Sequence, residues 1–194
     1  MTTTLHLLTG ILGSGKTSVL RHLLDSPLVD SRIAVVVGEF ADEGFDGRLL
    51  DETGATIQEL KGDPIRVGAS PYVSAVRTLL TANKPSSIFV ETSGVADIGK
   101  IGGALCEDHG VMSQATMGRS IAVVDAGAFR LHERHFPEQL WAQVEAADIV
   151  AVNKTDKHGI QATVSAAGLG LMTAANALQA KTANLWMHAS GPAA

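Results

Sequence analysis

The chain has 194 residues, 45% of them apolar and 18% charged, which fits one soluble globular domain spanning residues 1–194. A net charge of −5 without any basic block argues against nucleic acid or a membrane surface as the main partner. The single cysteine, Cys106, excludes an internal disulfide and points to a reducing, cytoplasmic compartment.

No charged leader followed by an apolar core opens the chain, so no export signal is expected. The apolar run Leu5–Thr9 predicts a buried strand, and Lys16–Leu24 has helical spacing. Between them Gly10-Ile11-Leu12-Gly13-Ser14-Gly15-Lys16-Thr17 spells a phosphate-binding loop. Its backbone N–H groups can cradle phosphates while the helix N-terminus faces the anion. Lys16 would reach the β- and γ-phosphates, and the Thr17 hydroxyl would complete a Mg²⁺ site. Ser18 follows in the first helical turn and joins the candidate nucleotide-binding set.

Further strands are predicted at Ile33–Val37, Ser87–Glu91, Ser120–Val124, Ile149–Asn153 and Asn184–His188. Helices are predicted near Pro71–Ala82, Ile98–Glu107, Ala126–His135 and Glu138–Ala146. Val- and Ile-rich strands alternating with helices predict an α/β fold, a mainly parallel central sheet with helices on both faces. Gly38 to Gly68 is the least regular stretch and follows a strand, so it is expected at the ligand-bearing edge. Its carboxylates Glu39 and Asp42 are candidates for a switch segment that approaches Mg²⁺ and the γ-phosphate; an exposed acidic turn is the bland alternative. From Gly159 to Ala180 no residue is charged, yet six polar side chains make a membrane span a poor fit.

Glu91 ends a hydrophobic strand, with Gly94 three residues on. In nucleotide hydrolases such an acid holds Mg²⁺ or orients water, and the glycine N–H contacts the γ-phosphate. Asn153-Lys154-Thr155-Asp156 comes after another apolar run, as a base-reading loop should. The Asp156 carboxylate can accept from both the N1–H and the exocyclic amine of guanine, whereas adenine leaves it unpaired. The Lys154 stem can cover the base, and Asn153 can tie this loop to the phosphate loop. Asp125 ends its strand near the same edge without an assigned role. The pairs Cys106/His109 and His132/His135 have a spacing that suits metal ligands, but two ligands do not make a zinc site, and solvated helix faces account for them better.

These motifs together resemble the CobW-type branch of the metallochaperone GTPases, relatives of the UreG and HypB proteins. The resemblance rests on Thr9 to Thr17, Glu39-Phe40 with Asp46-Gly47, Glu91 to Asp97, Val123 to Ala126 and Asn153 to Asp156. It implies a P-loop NTPase fold, GTP/GDP binding with Mg²⁺, and slow hydrolysis. It also implies nucleotide-linked homodimerisation or a client metalloprotein, and delivery of a transition metal (Zn, Co or Ni) or support of metal-cofactor assembly. Three departures stand out. The usual Cys-x-Cys-Cys segment is replaced by Asp63-Pro64-Ile65-Arg66, the usual Asn before Glu-Phe is Gly38, and the second domain of many members is not in this chain. A thiolate-rich metal site therefore cannot form at that segment.

The resulting expectation is a Mg²⁺-dependent GTPase switch in which Lys16, Glu91, Glu39 and Asp42 serve hydrolysis. Gly10, Gly13, Ser14, Gly15, Lys16, Thr17, Ser18, Gly94, Asn153, Lys154 and Asp156 would hold the nucleotide, and Thr17 and Glu91 the Mg²⁺. A non-catalytic nucleotide-dependent interaction module and a small-molecule kinase are the rival classes.

Overall fold

Among the described residues six strands form one sheet in which every neighbouring pair runs parallel, in the order Thr56–Glu59, Ile33–Val37, Ser87–Glu91, Thr3–Thr9, Ala115–Asp125, Ile149–Asn153. The computed structural model describes residues 2–24, 32–38, 53–60 and 68–154. The strands are β1 (Thr3–Thr9), β2 (Ile33–Val37), β3 (Thr56–Glu59), β4 (Ser87–Glu91), β5 (Ala115–Asp125) and β6 (Ile149–Asn153). The helices are α1 (Lys16–Leu24), α2 (Ser70–Asn83), α3 (Ile98–Glu107), α4 (His109–Met112), α5 (Phe129–His135) and α6 (Pro137–Ala146). Glu39, Asp42, Asp156, the 63–66 and 159–180 segments and the expected strand at 184–188 lie outside the described residues.

Two-sided burial explains the strand composition. Ile33-Ala34-Val35-Val36-Val37 is buried at every position, as a strand covered on both faces must be. On one face Ala34, Val36, Leu5, Leu7, Ile88 and Val90 pack against α2, α3 and α4. Farther along that face α5 and α6 cover Ala122, Val124 and Val150. On the opposite face Leu20 and Leu24 of α1 meet Leu8, Val35, Val37, Phe89 and Val123. Each such fully buried aliphatic side chain contributes about 2 kcal/mol.

The structure differs from the sequence expectation at four elements, one of them β5, which starts at Ala115 rather than Ser120. β3 was not expected; Thr-Ile-Gln-Glu is a half-exposed edge strand with one strongly apolar residue, too little pattern to read. α4 has only four residues and starts because the Asp108 carboxylate accepts from the Val111 N–H at 2.9 Å. α5 begins at Phe129 rather than Ala126. Asp125 Oδ1 accepts from the N–H groups of Gly127 (2.8 Å) and Ala128 (3.1 Å), so a side-chain turn occupies the residues that would have opened the helix.

β1 and β5 shift register between Leu5 and Leu7, so Gly118 and Arg119 lie opposite His6 alone. The His6 ring stacks on Phe89 with centroids 4.9 Å apart, and its Nδ1 accepts from the Arg119 N–H at 3.1 Å. Burial lowers the His6 pKa, which keeps the ring neutral and Nδ1 able to accept. Below the ordinary histidine value of about 6.5 the unfolded chain binds a proton that the native ring resists. Stability is therefore full above that pH and falls as the pH drops below it. His6→Gln, which retains an acceptor and cannot titrate, should flatten the dependence of the urea midpoint on pH between 5 and 7.5. An unchanged slope in the variant would contradict this assignment.

Candidate nucleotide site

Parallel strands all end at one edge, and the site is assembled there from the strand ends and the segments that leave them. Thr9, Glu91, Asp125 and Asn153 are the last residues of β1, β4, β5 and β6. β1 lies between β4 and β5, while its chain continues through α1 to β2 beyond β4, so strand order reverses at β1. Such a switch point opens a crevice for ligands.

The loop from Gly10 to Gly15 crosses this crevice into the N-terminus of α1. Gly10, Gly13 and Gly15 all have positive φ (155°, 78° and 91°), and Ser14 N–H donates to Ile11 O at 3.0 Å. At Gly15 the left-handed backbone and close approach coincide: a Cβ there would run into the Asn153 amide. Lys16 and Ser14 are buried, and Ser18 is exposed. The Ser14, Thr9 and Thr92 hydroxyls are buried without a hydrogen-bond partner among the described residues.

Two strand-end segments close on the loop and the first turn of α1. Thr17 Oγ1 donates to Glu91 Oε1 at 2.9 Å, and Glu91 is fully buried. Asn153 Nδ2 donates to Ser14 O at 2.9 Å, the tie expected from the motif. Lys154 Nζ donates to Gly13 O at 2.7 Å and pairs with Asp125 Oδ2 at 2.7 Å. Burial works against the Asp125 charge, but Lys154 and the two backbone N–H groups outweigh it and hold the carboxyl below its usual range.

Two supporting residues were not expected from the sequence, and a third, His132, lies close by. Tyr72, on α2, accepts from the Ser93 N–H at 3.2 Å through its hydroxyl; burial raises its pKa, so the phenol stays neutral. Gln143, on α6, donates from Nε2 to Gly94 O at 3.1 Å, and with Tyr72 it pins the Glu91–Gly94 segment from below. His132, on α5, is buried near Asp125 and Lys154, and burial lowers its pKa. Nothing in the sequence singled out Gln143, whose burial is seen only in the structure. Nothing singled out the chain's one tyrosine either.

Neither metal-ligand pair belongs to a larger cluster of ligands among the described residues. His135 is exposed while His132 is buried, which corrects the expectation of a solvated face for the latter. Cys106 is the penultimate residue of α3 and His109 opens α4, with Asp108 between the helices as a cap. Among the described residues no group of three or more His, Cys, Asp or Glu side chains could hold a metal ion.

Comparison with known proteins bears directly on this geometry. A family model described as "CobW/HypB/UreG, nucleotide-binding domain" matches residues 4–177. The chain belongs to the CobW/HypB/UreG family. The zinc chaperone YeiR of Escherichia coli K12 is 31% identical over 156 residues, covering 78% of this chain and 46% of YeiR. The zinc chaperone CobW of a Sinorhizobium species is 29% identical over 178 residues, covering 77% of this chain and 50% of CobW. The crystal structure of Zn(II)-bound YjiA GTPase from E. coli superposes with a TM-score of 0.59 at 25% identity, covering 82% of this chain and 51% of YjiA. The chain thus spans about half the length of the relatives it matches.

Gly38 has a local structural reason to be glycine. Its N–H donates to Glu91 O at 2.8 Å, and any Cβ would overlap the Tyr72 ring and hydroxyl. Tyr72 is 2% exposed and cannot swing away. Gly38→Asn should therefore destabilise the protein by about 1–3 kcal/mol, read as a lower denaturant midpoint. The double variant Gly38→Asn with Tyr72→Ala should lose less than the two single losses added together. Strict additivity would show that the two residues do not compete for space.

Proposed function

We propose that this protein binds GTP and hydrolyses it to GDP and phosphate as a slow switch that supports metal delivery or metal-cofactor assembly. One arrangement carries the proposal: the Glu91 strand end closes on the first turn of α1 and the Asn153–Lys154 strand end on the loop just before it. In this reading the backbone amides of Gly13, Ser14 and Gly15 and the Lys16 ammonium hold the phosphates. The buried Ser14 and Thr92 hydroxyls gain acceptors from the bound anion. The Gly94 N–H reads the γ-phosphate, Asn153 and Lys154 join the base loop to the phosphate loop, and Asp156 pairs with guanine.

The adjoining Thr17 hydroxyl and Glu91 carboxylate form an all-oxygen donor pair of the kind a hard cation prefers, so these two residues would hold Mg²⁺. Bound there, the ion would neutralise charge on the β- and γ-phosphoryl oxygens. Glu91 orients the attacking water and accepts its proton. As water bonds to the γ-phosphorus, the bond to the β–γ bridging oxygen breaks and GDP leaves. Glu39 and Asp42 serve as switch carboxylates. No arginine is assigned to the developing charge, so turnover is slow until a homodimer partner or client metalloprotein supplies further groups.

Metal enters this reading as cargo. YeiR and CobW carry the name zinc chaperone, and the proposed cargo is Zn, Co or Ni. With Asp63-Pro64-Ile65-Arg66 where the family places thiolates, cargo contact would use oxygen or imidazole ligands. The single cysteine, Cys106, is free and exposed, in keeping with a reducing cytoplasm. No helix among the described residues is long and apolar enough to cross a membrane.

Single-turnover assays provide the test. Glu91→Gln should slow phosphate release from GTP about a hundredfold, since a positioned base typically contributes 10²–10⁴. GDP affinity should change only a few-fold. A wild-type rate in the variant would remove Glu91 from the chemistry, and the absence of GTP cleavage by wild type at any protein concentration would favour a non-catalytic module.

A further inference from the structure

Asp125 is a buried acid at the site's edge that the proposed reaction does not use. We propose that Asp125 is a positioning residue for the nucleotide, holding Lys154 on the phosphate loop before any ligand arrives. The proposal rests on the guanine-nucleotide reading of the site and adds a residue to it.

Lys154 has two structural problems. Its backbone φ is +59°, a left-handed conformation that a lysine rarely adopts. Its side chain is one-third exposed (34%), so its ammonium has water as an alternative to the neutral Gly13 carbonyl. A charged acceptor in the right place removes that alternative, and Asp125 supplies one. The Asp125 side chain is only 9% exposed. Its Oδ1 is committed to Gly127 N–H and Ala128 N–H, which fixes the carboxylate plane without help from Lys154. Oδ2 is left facing Lys154 Nζ at 2.7 Å, and the same Nζ lies 2.7 Å from Gly13 O. The backbones are clasped as well: Asp125 pairs with Asn153 across the strands, and Ala126 N–H donates to Asn153 O at 2.9 Å. The chain of contacts therefore runs from the α5 turn through Asp125 and Lys154 to the loop proposed to cradle phosphate.

The competing role for Asp125 is purely local, shaping the turn into α5. Asp125→Asn separates the two roles, because an asparagine oxygen can still accept from both turn amides while the charge facing Lys154 is lost. The experiment titrates the full chain with fluorescent GDP and non-hydrolysable GTP analogues, using wild type, D125N, K154M and the double variant, with thermal midpoints in parallel. D125N should weaken both nucleotides about tenfold and by the same factor, with a midpoint within a few degrees of wild type. K154M should show a similar loss, and adding D125N to K154M should change little. Wild-type affinity in D125N, or a full further loss on top of K154M, would overturn the proposal and leave Asp125 with the turn alone. Should D125N unfold, K154M decides: its Asp125 turn is intact, and undiminished binding would overturn the proposal. Wild type that binds neither analogue would refute the guanine-nucleotide reading itself, an outcome distinct from all of these.

Discussion

Because all six described strands run parallel, every one of them must leave the sheet at the same edge, and the site exists because of that constraint. An antiparallel neighbour would carry its C-terminal residues to the far side. Here Glu91, Asp125 and Asn153 arrive beside the loop after Thr9 although they are far apart in sequence. Burial of the sheet on both faces fixes the strands, and the strands fix where these side chains emerge. The apolar core thus positions polar groups that it does not touch.

Those polar groups then constrain one another. A fully buried carboxylate such as Glu91 is unfavourable unless its surroundings compensate, and the Thr17 hydroxyl is one compensating donor. Asn153 and Lys154 satisfy carbonyls of a loop whose glycines leave no side chains to do so. From beneath, Tyr72 and Gln143 hold the backbone of the segment after Glu91. The loop and the start of α1 are thereby held by two strand ends, one of which two helices hold in turn, and this favours pre-organisation over adaptation.

Much of this was readable in the sequence because it depends on local pattern. Apolar runs of Leu, Val and Ile marked β1, β2, β4 and β6, and the glycine spacing marked the loop between β1 and α1. Asn153 reaching Ser14 was expected from motif order. The features that could not be read depend on packing. β3 is stabilised by pairing to β2, and its own Thr-Ile-Gln-Glu carries little strand signal. The early residues of β5 are Gly-containing and half-exposed, so only its buried second half was expected. The delayed start of α5 comes from the Asp125 turn, a side-chain preference that competes with helical periodicity. Tyr72 and Gln143 act on segments remote in sequence, and no spacing rule reaches that far. Gly38 was visible as a glycine, but the close approach of the Tyr72 ring that requires it was not.

The central claim is that this edge selects a guanine nucleotide, and calorimetric titration tests it most directly. With Mg²⁺ present, wild type should bind GTP and GDP and bind ATP far more weakly, since adenine would leave the Asp156 carboxylate unpaired. Asp156→Asn should transfer the preference from guanine to xanthine nucleotides while leaving the fold intact. Equal affinity for ATP and GTP in wild type, or undiminished GTP binding in Asp156→Asn, would contradict the account.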